Sequence, residues 1–304
     1  MAEEKGILLA LLTAFVSGFS VFVNSFGVQG MDPFVYTTLK NAAVALFIIS
    51  GIYLLKQRET LAKLTKKEWI QLAIIGVIGG SVPFLLFFLG LKMSGAVTSS
   101  FIYRLLFVFA GVFAWIGLKE RVSRSALIGA GIAILGNALL VVPYGFKFGA
   151  GEALVLGATV LWAAEYVISK KVLTSIPSSA VAFGRMFFGS LVLIAFLAFT
   201  GGIGAIATLG TDSWMWVGIS SALLTAFVLC WYTSLKHTSV TNATAILALG
   251  GPITTLLSYV FLAKGVALAD AVGLMLLVIG VVAVVGFGTF ARSASYARKQ
   301  ITIG

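Results

Sequence analysis

The chain has 304 residues, 60% of them hydrophobic and 10% charged, with a mean hydropathy of +1.09. A soluble domain carries about a quarter of its residues as Asp, Glu, Lys and Arg, so this composition excludes a water-facing surface over most of the molecule and makes the bilayer its solvent. The formal charge of +11 does not indicate nucleic acid, because the basic residues lie in short breaks between apolar runs and not on one polar, aromatic face.

About twenty apolar residues cross the hydrocarbon core as a helix. That ruler places spans near 6–26, 34–55, 70–91, 94–118, 124–143, 151–171, 178–200, 213–235, 240–262 and 267–289. Met1-Ala2-Glu3-Glu4-Lys5 leads into the first span, which is too long and too acidic at its start for a secretory signal. Turn and charge signals mark the breaks, among them Gly30-Met31-Asp32-Pro33, Lys119-Glu120-Arg121, Pro143-Tyr144-Gly145 and Ala263-Lys264-Gly265. Continuous apolar runs exclude a transmembrane β-barrel, which alternates at every second residue. The expected fold is therefore an all-α polytopic membrane protein with ten transmembrane helices.

Basic residues set the orientation. Lys5, the cluster from Lys56 to Lys67, Lys119, Arg121, Arg124, Lys170, Lys171, Lys236 and the tail residues Arg292, Arg298 and Lys299 fall on one side. Lys92, Lys147 and Lys264 fall on the other. Both termini are expected in the cytoplasm, with the protein in the cell inner (plasma) membrane.

A shift of 144 residues brings Pro33 onto Pro177, Leu91-Lys92 onto Leu235-Lys236, Gly129 onto Gly273 and Gly136 onto Gly280. Gly6 meets Gly151 with one further residue inserted. Two five-helix repeats follow, 1–146 and 147–290, with a basic cytoplasmic tail over 291–304. An odd number of spans per repeat inverts the second relative to the first, an architecture that lets one half rock against the other.

Several features resemble the drug/metabolite transporter superfamily, in its EamA-like branch. They are the proline opening the second helix of each half, Leu118-Lys119-Glu120-Arg121-Val122 after the fourth helix, Gly250-Gly251-Pro252-Ile253 in the ninth, and Arg185 in the seventh. The resemblance implies a secondary transporter of small metabolites, and members of this branch often export. The two halves differ at these points: Asn41 stands opposite Arg185, Lys264 opposite Glu120, and Val108 opposite Pro252.

A charge deep in the bilayer needs a partner or a purpose. Four qualify: Lys40, Arg104, Glu165 and Arg185. Helical rise puts Arg104 and Glu165 roughly 15–20 Å from the outer ends of their helices. A zwitterion would use Arg104 and Arg185 for its carboxylate, Glu165 for its ammonium, and Tyr103 or Trp162 for its side chain, with Lys40 as a further candidate. Glu165 is alternatively the carrier of a coupling proton, or half of a structural pair with an arginine. Pro83, after Gly79-Gly80-Ser81, and Pro252, after Gly250-Gly251, are expected to bend helices three and nine as hinges. The glycine-rich fifth and tenth helices are expected to be scaffold or a homodimer contact.

Enzyme chemistry lacks its residues. His237 is the single histidine and Cys230 the single cysteine, no phosphate-binding loop is present, and Glu165 is the sole deep carboxylate. No cofactor or metal is expected. The expected function is alternating-access transport, with amino acids or related amphipathic solutes favoured. An organic anion or sugar phosphate is the alternative within the superfamily, and a non-transporting scaffold or receptor is the alternative outside it.

Overall fold

Inside a bilayer every backbone N–H and C=O must find a partner within its own segment, which makes each long apolar run a helix. The computed structural model describes residues 2–56, 58–140, 145–262, 267–287, 289–290 and 292–293. They form α1 (Ala2–Gln29), α2 (Pro33–Leu54), a short α3 (Glu59–Ala62), α4 (Lys66–Gly80), α5 (Val82–Arg104), α6 (Leu106–Leu118), α7 (Arg124–Leu139), α8 (Ala150–Val172), α9 (Ser178–Phe199), α10 (Thr211–His237), α11 (Val240–Leu247), α12 (Gly250–Leu262) and α13 (Leu268–Val285). A 3₁₀ turn covers Gly202–Thr208, and the described residues contain no strand. The break at Pro143-Tyr144, Lys264, and the tail apart from Arg292 and Ser293 lie outside the described residues.

Capping residues fix several starts. Asp32 accepts from the amides of Phe34 and Val35 at 2.9 and 3.0 Å, with Pro33 supplying the first helical residue of α2. Thr65 and Glu68 close a reciprocal capping box on α4. Ser123 and Ser239 each accept from the amide three residues ahead, opening α7 and α11.

Among the described residues, eight helical stretches are long and apolar enough to cross a membrane, and α7, at 16 residues, is apolar but shorter. One stretch, Lys66–Leu118, has 53 residues, about 80 Å as a straight helix and more than twice the hydrocarbon thickness. It folds back at Gly95, whose φ of +76° suits glycine. Before it, Gly90 packs on Val155, and Met93 and Ser94 pack on Gly151, so this segment runs antiparallel to α8. After it, Tyr103 meets Trp162, and the chain runs parallel to α8.

The main helix pairings join the first repeat to the second: α7 with α13, α1 with α10, α5 with α8, and α4 and α2 with α9. They obey the 144-residue shift. α1 against α10 mirrors α8 against α4 and α5, while α2–α9 and α7–α13 each pair a helix with its own counterpart. The glycines of α7 and α13 face each other, Gly129 against Gly280 and Gly136 against Gly273. That seam lies within one chain, so these glycines are already used as scaffold.

Polar clamps hold the helix ends. At one end, Glu120 accepts from the amides of Val240 and Thr241 at 2.9 and 3.1 Å and caps α11. Nearby, Lys170 donates to the carbonyls of Leu235 and Thr238 at 2.6 and 2.7 Å, closing α10. At the opposite end, Gln29 donates to Lys92 O and Lys92 to Met31 O.

Candidate functional site

The site begins with a broken helix. Pro83 has no N–H to give the carbonyl of Gly79, and the chain leaves helical geometry at Ser81 (φ −129°, ψ −78°). The freed carbonyls are taken from across the molecule. Gly79 O accepts from Trp162 Nε1 at 2.9 Å and from Arg185 Nη2 at 3.0 Å, and Gly80 O accepts from Asn41 Nδ2 at 3.1 Å. The break thereby ties α4 to α8, α9 and α2.

A second break separates α11 from α12 just before Gly250-Gly251-Pro252. A third separates α5 from α6 at Leu105, which the 144-residue shift carries onto Leu249. The break in the ninth helix thus has a counterpart in the fourth, although no proline or glycine marks it. The break at Pro83 has none, since α10 continues unbroken through the matching Phe227.

Beside the first break lies a cavity of about 60 Å³. Its wall carries Lys40 from α2, Arg185 from α9, Phe84, Phe87, Phe88 and Tyr103 from α5, Trp162 and Tyr166 from α8, and Ser17, Ser20 and Asn24 from α1. That volume admits a few waters and no metabolite. Trp162 stands edge-on to Phe84 at 5.2 Å and to Tyr103 at 5.5 Å, geometries that the ring quadrupoles favour.

Lys40 is 1% exposed, and its ammonium lies 3.6 Å from the Phe88 ring centroid. Among the described residues no hydrogen bond or ion pair engages that ammonium. Glu165 is fully buried and does not line the cavity. Its Oε1 accepts from Ser169 and, at 2.7 Å, from Tyr232, while Oε2 faces Arg185 Nε at 3.7 Å, beyond hydrogen-bond length. Gly79 makes room for this carboxylate, since a Cβ there would collide with it. Arg185 keeps Nη1 and Nε without acceptors.

Arg104 stands apart. Its guanidinium donates to Asn137 Oδ1 at 2.9 Å, Ser100 Oγ at 3.0 Å and Thr255 Oγ1 at 3.4 Å, and it fills the space a side chain on Gly251 would take. It borders a separate void of about 10 Å³ that shares Ser17, Val21 and Tyr103 with the larger cavity. The fold therefore brings Lys40, Arg185, Tyr103 and Trp162 around one cavity, sets Glu165 behind Arg185, and gives Arg104 partners of its own.

Sequence reasoning missed several participants. Tyr36 donates to Asn24 Oδ1 at 2.5 Å and touches Ser220, forming a buried polar string beside the cavity. Asn24 and Asn137 were findable as amides inside apolar runs, but Phe84, Phe87 and Phe88 carry no signal that separates them from ordinary packing. The described residues hold no cluster of three or more metal-ligating side chains.

The family model of the EamA-like transporters matches this chain twice, over residues 4–142 and 149–286. The chain belongs to the EamA-like transporter family. This EamA-like transporter is similar to an uncharacterized transporter of Clostridium kluyveri, 23% identical over 91% of this chain and 92% of that one. An uncharacterized transporter of Archaeoglobus fulgidus is 27% identical over 93% of this chain and 99% of its own. A WAT1-related protein of Arabidopsis thaliana is 25% identical over a shorter stretch, 38% of this chain and 33% of that one. A crystal structure of a protein 18% identical in sequence superposes with a TM-score of 0.70, covering 90% of this chain and 95% of that chain. The likeness to that structure bears on the fold alone. With its long apolar helices, this EamA-like chain is a multi-pass membrane transporter.

Proposed function

We propose that this EamA-like transporter moves small amphipathic solutes bearing a carboxylate, by alternating access through the cavity between its two repeats. One observation supports the choice of solute. The cations Lys40 and Arg185 line the cavity, whereas the carboxylate of Glu165 stands behind Arg185 and is held by Ser169 and Tyr232. An incoming carboxylate would meet open donors on Lys40 Nζ and Arg185 Nη1, and the apolar body would lie among Phe84, Phe87, Phe88 and Trp162. Amino acids fit, with their ammonium against ring faces and serine hydroxyls. Organic anions are the second reading, favoured by the lack of any carboxylate among the residues lining the cavity.

A cavity of 60 Å³ is too small for such a solute, so binding calls for the site to widen. Opening would rock residues 1–146 against 147–290, with the breaks at Pro83 and Pro252 as hinges. On this reading the fold-back at Gly95 and the short α7 each add a crossing to the eight long stretches, which would make ten. The basic loops favour cytoplasmic termini in the inner membrane, and export is the direction expected of this branch. Arg104, whose two terminal nitrogens are held by Asn137, Ser100 and Thr255 while Nε lacks an acceptor, serves as a strut. No step calls for catalysis.

Thermal unfolding of detergent-purified protein against amino acids, organic anions and organic cations tests this. A ligand at a hundred times its Kd adds about 2.7 kcal/mol to the folded state. Stabilisation by carboxylates that disappears in Lys40→Met is the expected result. Selective stabilisation by organic cations would overturn the assignment.

A further inference from the structure

At the end of the molecule where the basic loops gather, α2, α3, α4 and α9 enclose a crevice of about 520 Å³, separate from the transport cavity. Ile49, Tyr53, Arg58, Trp69, Phe183 and Phe187 form most of its wall. Two kinds of surface meet there. The rings of Tyr53, Trp69, Phe183 and Phe187 make an apolar floor, with Tyr53 62% exposed and Phe187 37% exposed. Arg58 supplies a cation beside them, on a segment that also carries Lys56, Lys63, Lys66 and Lys67.

The charges are not balanced. Glu59, the carboxylate on this wall, is paired with Lys63 at 2.8 Å. No ion pair among the described residues engages Arg58. A soluble anion would satisfy Arg58 and leave the aromatic floor uncovered, while a zwitterionic lipid would cover the floor but bring its own cation into a segment already rich in Lys and Arg. A ligand with an anionic head and apolar tails satisfies both. Trp69 and Tyr53, each with an apolar body and a polar edge, suit the depth at which head and tails meet.

We propose that this crevice binds an anionic phospholipid, its phosphate paired with Arg58 and its acyl chains laid over Phe183 and Phe187. The site connects to transport through two helices. Phe183 and Phe187 flank Arg185 on α9, so the rings line the crevice while the guanidinium lines the transport cavity. Lys40 lies on α2, the helix that ends beside the crevice at Ile49 and Tyr53. A bound lipid would therefore brace both helices that carry the cavity's cations; only this consequence rests on the carboxylate-carrier reading.

The full chain is purified in micelles containing phosphatidylglycerol and phosphatidylcholine with matched acyl chains, and bound lipid is counted by native mass spectrometry. Phosphatidylglycerol should be retained in preference. Arg58→Ala should lower the ratio of the two about fivefold, the factor for one basic residue near the membrane surface, and Arg58→Glu should lower it further. Arg124→Ala, at the first residue of α7, should leave the ratio unchanged. An equal loss in Arg124→Ala, or none in Arg58→Glu, overturns the proposal. Displacement of the lipid by glycerol phosphate at equal concentration would assign the crevice to a soluble anion and overturn it too. None of these measurements reads transport, so their failure is separate from failure of the carrier reading.

Discussion

Lys40→Met should make the protein more stable and less able to bind its solute. A charge carried to the bilayer centre costs about 2.5–3.5 kcal/mol on insertion scales. Lys40 recovers part of this through the Phe88 ring at 3.6 Å, since a desolvated cation–π contact contributes about 2 kcal/mol. Methionine removes both terms and keeps the apolar contacts of the stem. The fold then gains about 0.5–1.5 kcal/mol, roughly a two- to twelvefold shift in the folded-to-unfolded ratio. Water in the cavity lowers the cost of the charge and makes that figure an upper bound. Binding moves the other way, because losing a charged hydrogen-bond partner costs about 1.5–3 kcal/mol, more than tenfold in Kd. Unfolding by denaturant in detergent, paired with calorimetric titration of the best carboxylate from the panel, reads both quantities. A loss of more than about 2 kcal/mol of stability would show that Lys40 holds the helices together, and unchanged binding would remove it from the site.

Further expectations follow from the same contacts. Glu165→Gln keeps an acceptor for Ser169 and Tyr232 but removes the charge facing Arg185, so organic anions should bind more tightly; weaker anion binding by equilibrium titration would contradict this. Asn137→Leu leaves the Arg104 guanidinium short of its 2.9 Å partner and should cost about 1.5–3 kcal/mol. The double variant with Arg104→Met should recover stability, because an apolar pair can replace a buried polar one, and it should still transport; silent transport would return Arg104 to the substrate. Gly280→Val would force a side chain into Gly129 O and Ala133 N and should lower the unfolding free energy by about 1–3 kcal/mol or more. Glu120→Ala releases the cap on α11, so a cysteine placed at Ser17 in a Cys230→Ser background should label faster with an impermeant thiol reagent.

The fold was readable because its rules are local. Span length and the 144-residue shift depend on sequence position alone, and Pro33, Pro177, Gly129 and Gly273 recur without knowledge of the third dimension. The break at Pro83 was readable for the same reason, since a missing N–H acts on a fixed neighbour four residues back. The break at Leu105 was not, because nothing in Ile102-Tyr103-Arg104-Leu105 opposes a continuous helix. Charge pairing was also out of reach. Which arginine meets Glu165 depends on how α8 and α9 are rotated, and the sequence could not tell that Asn137 on α7 would take Arg104 while Gly79 O, Trp162 and Glu165 gathered around Arg185.

Two of the buried charges sit where a glycine has no side chain, Glu165 against Gly79 and Arg104 against Gly251. Each glycine is therefore held in place for as long as its charged neighbour is present. Among members of this family, those with a larger residue at the position of Gly251 should lack arginine at the position of Arg104, and the same should hold for Gly79 and Glu165. A lineage that trades Arg104 for a smaller group first would free position 251 to vary, whereas the reverse order forces the guanidinium away from Asn137, Ser100 and Thr255. Evolution within this fold would then be directional at these two places, with the charge lost before the glycine.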